Sequence, residues 1–357
     1  MSGTGSRAWM EVDLGALVDN ARTVARTAGT RLLPVVKANA YGVGAVAVSK
    51  ALEQVDPWGY GVATIEEGAE LRAAGITRPI LVFMPPRAQL FDEFDHHHLT
   101  PGLGDAGSIL EWTTRGDRAF HVEIDTGMGR SGVRWDDVDE LGEAVDTPSF
   151  EGCYTQFHSA DRTDGSAEQQ LERFLEAVRR LPRRPALLHV ANSAAALRGQ
   201  RFAFDLVRPG VFLYGGSPGE GLPQPQPVVS VRARVLSVRR VRKSESVSYN
   251  ASWVARRDTV IATIGVGYAD GIRRTVGTSG QAHVLLRGAR CPIVGLVTMD
   301  MTLIETGTLE VQVGDVATIV GEEAKQRITL EEFAGWSGAL QREFLTGLGS
   351  RLPRMYG

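Results

Sequence analysis

Short apolar runs of strand length alternate with helical patterns through the first two-thirds of this chain, and that alternation leaves few folds open. Leu32–Val36 predicts a strand and Ala45–Leu52 a helix. The pairs that follow are Tyr60–Ala63 with Ile65–Ala74, Ile80–Phe83 with Ala88–Phe94, and Leu99–Leu103 with Ala106–Thr114. Next come Ala119–Ile124 with Trp135–Ala144, Phe150–Phe157 with Glu168–Leu181, Ala186–Val190 with Ser193–Leu197, and a last short strand at Leu206–Val207. About eight such units in roughly 200 residues predict a parallel sheet, closed as a (β/α)8 TIM-like barrel in preference to a doubly wound sheet.

After Gly215 the texture changes. Ser217–Gln226 is rich in Pro and Gly and reads as a linker. From Val228 the pattern is strand-like at Val229–Val238, Val247–Tyr249, Thr259–Val266, Ala282–Leu286, Pro292–Met301 and Val313–Val320, with helices only near Leu330–Phe333 and Gln341–Leu348. The expectation is a barrel over residues 10–227 and a mainly β domain over 228–357, joined by an N-terminal strand in 1–9.

Composition narrows the partners. A net charge of −3 argues against a nucleic-acid surface. The longest apolar runs, about eight residues, are too short to span a bilayer. Two cysteines, Cys153 and Cys291, cannot make a disulfide framework, and both sit in apolar strands as inert core residues. With no apolar signal core at the N-terminus, a cytoplasmic protein is expected.

Chemistry concentrates where barrel strands end, because their C-terminal ends face the active site. Lys37 closes the first strand in Val36-Lys37-Ala38-Asn39-Ala40-Tyr41-Gly42. A partly desolvated lysine has a lowered pKa and becomes a nucleophile or base. Gly42-Val43-Gly44-Ala45-Val46-Ala47 also matches a relaxed dinucleotide fingerprint, but Glu66 is poorly placed as the ribose-binding acid, so the match reads as a decoy. The fifth strand leads into Asp125-Thr126-Gly127-Met128-Gly129-Arg130, an arginine suited to a carboxylate or phosphate. His189-Val190-Ala191-Asn192-Ser193 and Arg208-Pro209-Gly210-Val211 follow strands seven and eight, whose loops often bind phosphate in barrels. Ser193 opens a short helix and reads both as its N-cap and as an anion contact. His96-His97-His98 reads as a solvated loop. A strand-end lysine together with a phosphate site suggests pyridoxal phosphate held as a Schiff base.

The chain resembles the alanine racemases, pyridoxal-phosphate enzymes of fold type III. The resemblance rests on the segments around Lys37, Arg130, Ser193 and Arg208, and on Ser248-Tyr249, Gly267-Tyr268-Ala269-Asp270-Gly271, Met299-Asp300 and Arg351-Leu352-Pro353-Arg354-Met355-Tyr356, in family order over nearly the whole chain. It implies racemisation of L- and D-alanine by two bases, Lys37 on one face of the substrate and Tyr249 of the partner subunit on the other. Arg208 would face the pyridine nitrogen, buttressed by His189. Tyr41, Ser193, Gly210, Val211 and Tyr356 would contact the phosphate. Arg130 and the Met299 backbone would hold the substrate carboxylate, while Tyr268 and Asp300 would narrow the partner's entrance. The implied assembly is a head-to-tail homodimer with shared active sites.

Several positions depart from the family pattern: Val43, Gln156, His158 and Met301. Glu123 stands where many members carry a carbamylated lysine, and its carboxylate would orient Arg130 directly. Gln156 and His158 leave open another small amino acid such as serine, or a specialised biosynthetic paralogue doing different chemistry with the same cofactor.

Overall fold

The computed structural model describes residues 5–357; the rest of the N-terminal stretch lies outside the described residues. The expected barrel forms. Tyr60–Val62, Ile80–Val82, Thr100–Leu103, Phe120–Asp125, Phe150–Tyr154 and Leu187–His189 pair in sequence, all parallel. Leu206–Val207 pairs in parallel with Arg31–Leu32, and Val35 bridges to Gly61. The amides of Asp205 and Arg208 donate to Leu188 and Ala191, joining the seventh and eighth strands. The ring of hydrogen bonds is therefore complete, and it removes the exposed sheet edges that an open sheet would leave.

A helix the strand–helix reading does not contain, Leu14–Ala28, packs between Ala45–Leu52 and Ser193–Leu197. It supplies the helix missing after the eighth strand. Asp13 caps it by accepting from Ala16 N at 2.8 Å, and Gly29 ends it in the left-handed conformation. Leu17, Ala21 and Val24 recur at helical spacing and are fully buried; Leu17 alone contributes about 2 kcal/mol.

Of the expected elements that differ, two concern whole segments. Trp135–Ala144 is no α-helix: a 3-10 run spans Val138–Val145, broken at Gly142 with φ 47°. Pro292–Met301 is no continuous strand: Pro292 ends the strand Ala289–Pro292, Ile293 bridges to Ile304, and the regular ladder stops there. The rest is a loop between Ala289–Pro292 and Thr302–Glu305, folded back so that Thr298 N donates to Met301 O at 2.9 Å. In both, apolar content follows burial rather than a regular backbone.

The second unit is built on Val229–Val241, whose buried Val229, Val231, Ala233 and Val235 alternate with half-buried residues. This strand pairs with Thr259–Ile264, Val316–Glu323 and the N-terminal strand Ala8–Val12, which in turn lies parallel to Arg354–Tyr356. Both ends of the chain thus join one sheet. The helix Gln341–Gly347 leans back against Lys37–Tyr41 at the barrel mouth.

Candidate active site

Lys37 begins the most unusual backbone in the molecule. Ala38, Asn39, Ala40 and Tyr41 all have φ between 52° and 56°, a turn of left-handed helix without glycine. Each such residue costs about 1–2 kcal/mol, so the turn needs external anchors. Glu67 is the main one: its carboxylate accepts from Ala38 N at 2.6 Å and from Ala63 N at 2.7 Å. Asn39 ties the other end, accepting from Ala45 N at 2.7 Å. Behind the turn Tyr356 donates to Val43 O at 3.1 Å. Gly42 and Gly44 therefore belong to a braced turn that presents Lys37. Glu66, with its side chain in solvent, is no ribose ligand.

The turn opens onto a cleft of about 970 Å³ lined by Lys37, Tyr41, Arg130, Ser193, Arg208 and Gly210, among others. Burial, and then the nearby Arg130 and Arg208 cations, hold the Lys37 amine below the usual lysine range. Among the described residues no hydrogen bond engages it, so the amine is free to react.

Arg208 lies at the cleft floor, 4% exposed, and among the described residues no carboxylate pairs with it. It donates to the carbonyls of His189 and Thr155, the latter at 2.6 Å, to His189 Nδ1 at 3.1 Å, and to Gln156 Oε1 at 3.5 Å. Burial pushes its pKa down to about 10. His189, also buried and beside this cation, is held well below the usual histidine range and stays neutral.

Ser193 does not cap its helix. Asn192 does, accepting from Ala195 N at 3.2 Å. The Ser193 hydroxyl instead accepts from Gly210 N at 2.9 Å and ties together the loops after strands seven and eight. Tyr41 stacks on Tyr214 with centroids 4.7 Å apart, and a Cβ at position 210 would lie 2.4 Å from its hydroxyl. Gly210 is thus required by close approach, and the result is a cradle of hydroxyls and backbone.

Glu123 is buried and meets Arg130 at 3.5 Å, while Ser131 Oγ donates to it at 2.8 Å. His158 lines the same cleft, its Nδ1 on Ser159 Oγ at 2.8 Å.

Five expected site residues lie elsewhere: Tyr356, expected at the phosphate, lines a different cleft and bonds Val43 O, and four more stand on the β domain. Tyr249 is 61% exposed on the β domain, in a 3-10 turn rather than a strand because Ser248 adopts φ 71°. Tyr268 and Met299 are exposed there too, and Asp300 pairs with Arg351 at 2.6 Å. None of the four lines the cleft that holds Lys37.

Sequence reasoning missed Glu67 and Tyr154. Thr64 and Glu67 form a capping box that is legible in sequence, but the Ala38 amide that Glu67 also holds is 29 residues away. Tyr154 stacks on His189 at 5.1 Å, and the Arg208 guanidinium sits over its ring at 5.4 Å.

Comparison with known proteins decides the family. Residues 12–218 match the alanine racemase N-terminal domain, and residues 228–356 the alanine racemase C-terminal domain. The chain belongs to the alanine racemase family. It is 38% identical over 363 residues to the alanine racemase of Deinococcus deserti, covering 98% of this chain and 99% of that one. It is 36% identical to that of Carboxydothermus hydrogenoformans, with the same coverage. The crystal structure of alanine racemase from Bartonella henselae with covalently bound pyridoxal phosphate superposes with a TM-score of 0.91 at 30% identity, over 99% of this chain and all of that one. Alanine racemase from the D-cycloserine producer Streptomyces lavendulae gives 0.92 at 30% identity, over 99% and 98%. Likeness of this extent makes the chain an amino-acid racemase, an isomerase of the pyridoxal-phosphate-dependent kind.

Proposed function

We propose that the chain interconverts L- and D-alanine with Lys37 and Tyr249 as its two bases, in a homodimer whose active sites are shared. The observation that carries the reading is one cleft holding a free amine of lowered basicity together with a buried arginine that pairs with no carboxylate among the described residues. Pyridoxal phosphate fits these residues. The cradle that a Cβ at Gly210 would fill suits a phosphate, and a guanidinium, which only donates, suits an acceptor ring nitrogen. When bound, the cofactor serves as an electron sink that acidifies the Cα–H of an attached amino acid.

Lys37 would attach the cofactor and hold or accept a proton at Nζ. Tyr41, Ser193 and the Gly210 and Val211 backbone would cradle the phosphate, with Tyr356 bracing the turn behind them. Arg208, set by His189, would keep the ring nitrogen unprotonated and so limit side reactions. Arg130, oriented by Glu123, would take the substrate carboxylate by a charge-assisted pair.

Racemisation needs a base on each face of a planar centre. Lys37 serves one. The exposed Tyr249, with Tyr268, the Met299 backbone and Asp300, is assigned to the mouth of the second protomer's cleft. A cytoplasmic site of action completes the reading, supported by two free, buried cysteines. Among the described residues no helix is long and apolar enough to cross a membrane.

The test is chiral analysis of L-alanine incubated with the holoenzyme. Appearance of D-alanine, lost in Lys37→Ala along with the borohydride-sensitive visible absorbance, is expected. Racemisation of another amino acid such as serine with none of alanine would overturn the reading.

A further inference from the structure

Four polar groups run in line from the cleft floor through the barrel interior toward the N-terminal ends of the strands. Arg208 Nη1 meets His189 Nδ1 at 3.1 Å, His189 Nε2 meets His121 Nδ1 at 2.8 Å, and His121 Nε2 meets Glu151 Oε2 at 3.1 Å. Both imidazoles are fully buried, while the Glu151 side chain is 35% exposed. The row has dedicated space: a Cβ at Gly152 would lie 2.4 Å from the His121 ring. Trp58 packs on His121 at 5.6 Å, and Tyr154 stacks on His189.

Donor chemistry gives the row one direction. A guanidinium only donates, so His189 Nδ1 must accept. A neutral imidazole has one donor and one acceptor, so His189 Nε2–H donates to His121 Nδ1. His121 Nε2–H then donates outward, and a carboxylate, which only accepts, closes the row. We infer that Glu151 is a positioning residue for racemisation: through His121 and His189 it fixes the lone pair that orients Arg208. The inference rests on the reading that Arg208 faces the cofactor ring. Replacing the terminal acceptor with a donor reverses the row. His189 would then present N–H to the N–H of a buried Arg208, an unsatisfied contact at the cleft floor.

Two measurements test this. The chain has seven histidines, and selective 15N labelling with long-range 15N–1H correlation reads each tautomer in the wild-type protein. Both His121 and His189 are expected as neutral Nε2–H forms in protein with or without cofactor. An Nδ1–H form or a charged ring at either position overturns the inference, whatever the substrate proves to be. Glu151→Gln, whose amide oxygen still accepts, is expected to keep both tautomers and kcat within about threefold. Glu151→Lys is expected to switch the His189 signals and to lower kcat at least about tenfold, with KM for alanine moved less than threefold. Wild-type kcat in a folded Glu151→Lys protein overturns it. Should that variant fail to fold, the wild-type tautomers decide alone. Failure of the wild type to racemise alanine sinks the functional reading and leaves the tautomer result standing.

Discussion

Lys37 shows how one side chain acquires chemistry from its surroundings. Burial and two nearby cations lower its pKa, so the native state favours the neutral amine more than the unfolded chain does. Between the lowered and the ordinary value the unfolded state binds more protons, and stability rises with pH across that window. The charged lysine is therefore a stability cost at neutral pH. Lys37→Met should abolish racemisation yet stabilise the apoprotein at pH 7, with the gain shrinking as pH approaches about 10; thermal melts across pH read it. Glu123 acts at the same scale. Glu123→Gln keeps size but removes the anion 3.5 Å from Arg130. KM for alanine should rise about fivefold with kcat less affected, and an unchanged KM would count against a role for Glu123 in holding Arg130. The lysine was legible in sequence only in combination, a strand-end lysine beside the phosphate-type loops that follow strands seven and eight. An N-cap was the default reading for Ser193 there, held together with an anion contact, and the structure moves the cap to Asn192 and puts the Gly210 amide on the Ser193 hydroxyl.

The decisive element is the left-handed turn Ala38–Tyr41. Nothing in Ala-Asn-Ala-Tyr asks for positive φ at four residues running, since the left-handed region disfavours any side chain with a Cβ. The turn exists because Glu67, Asn39 and Tyr356 hold it from three sides. Glu67→Ala strips the acceptor from two backbone amides. It should cost about 1–2 kcal/mol in denaturant unfolding and weaken pyridoxal-phosphate binding several-fold in a spectroscopic titration. Strands and helices with clear periodicity were readable from the sequence: Ala45–Leu52, Ser193–Leu197 and Leu206–Val207 fall where the pattern places them. Pro292–Met301 was not, because Ile293, Val294 and Val297 are buried by loop packing that mimics a strand.

At the scale of the molecule, the chain separates its two proposed bases. Lys37 lies in the cleft, while Tyr249 stands exposed on the β domain and outside that cleft. The shared-site reading makes a sharp prediction. Lys37→Ala and Tyr249→Phe homodimers should each be inactive. Mixed after reversible dissociation, they should recover about a quarter of wild-type activity, because half the dimers would carry one intact site of two. No recovery, with mixed dimers shown by mass spectrometry, would mean that each chain completes its own site.

The sequence by itself determined the class of fold and placed Lys37 at the end of the first barrel strand. Strand and helix periodicity is a local property, and a closed barrel follows from repeating it about eight times. It also carried the family motifs in order. Tertiary structure alone decided which groups meet. Leu14–Ala28 fills the eighth helical position only because the ring closes beside it. Glu67 reaches Ala38 across 29 residues, and His121 and Glu151 reach Arg208 through His189 only because parallel strands bring them into register. Such contacts depend on distance in space, which local sequence does not encode.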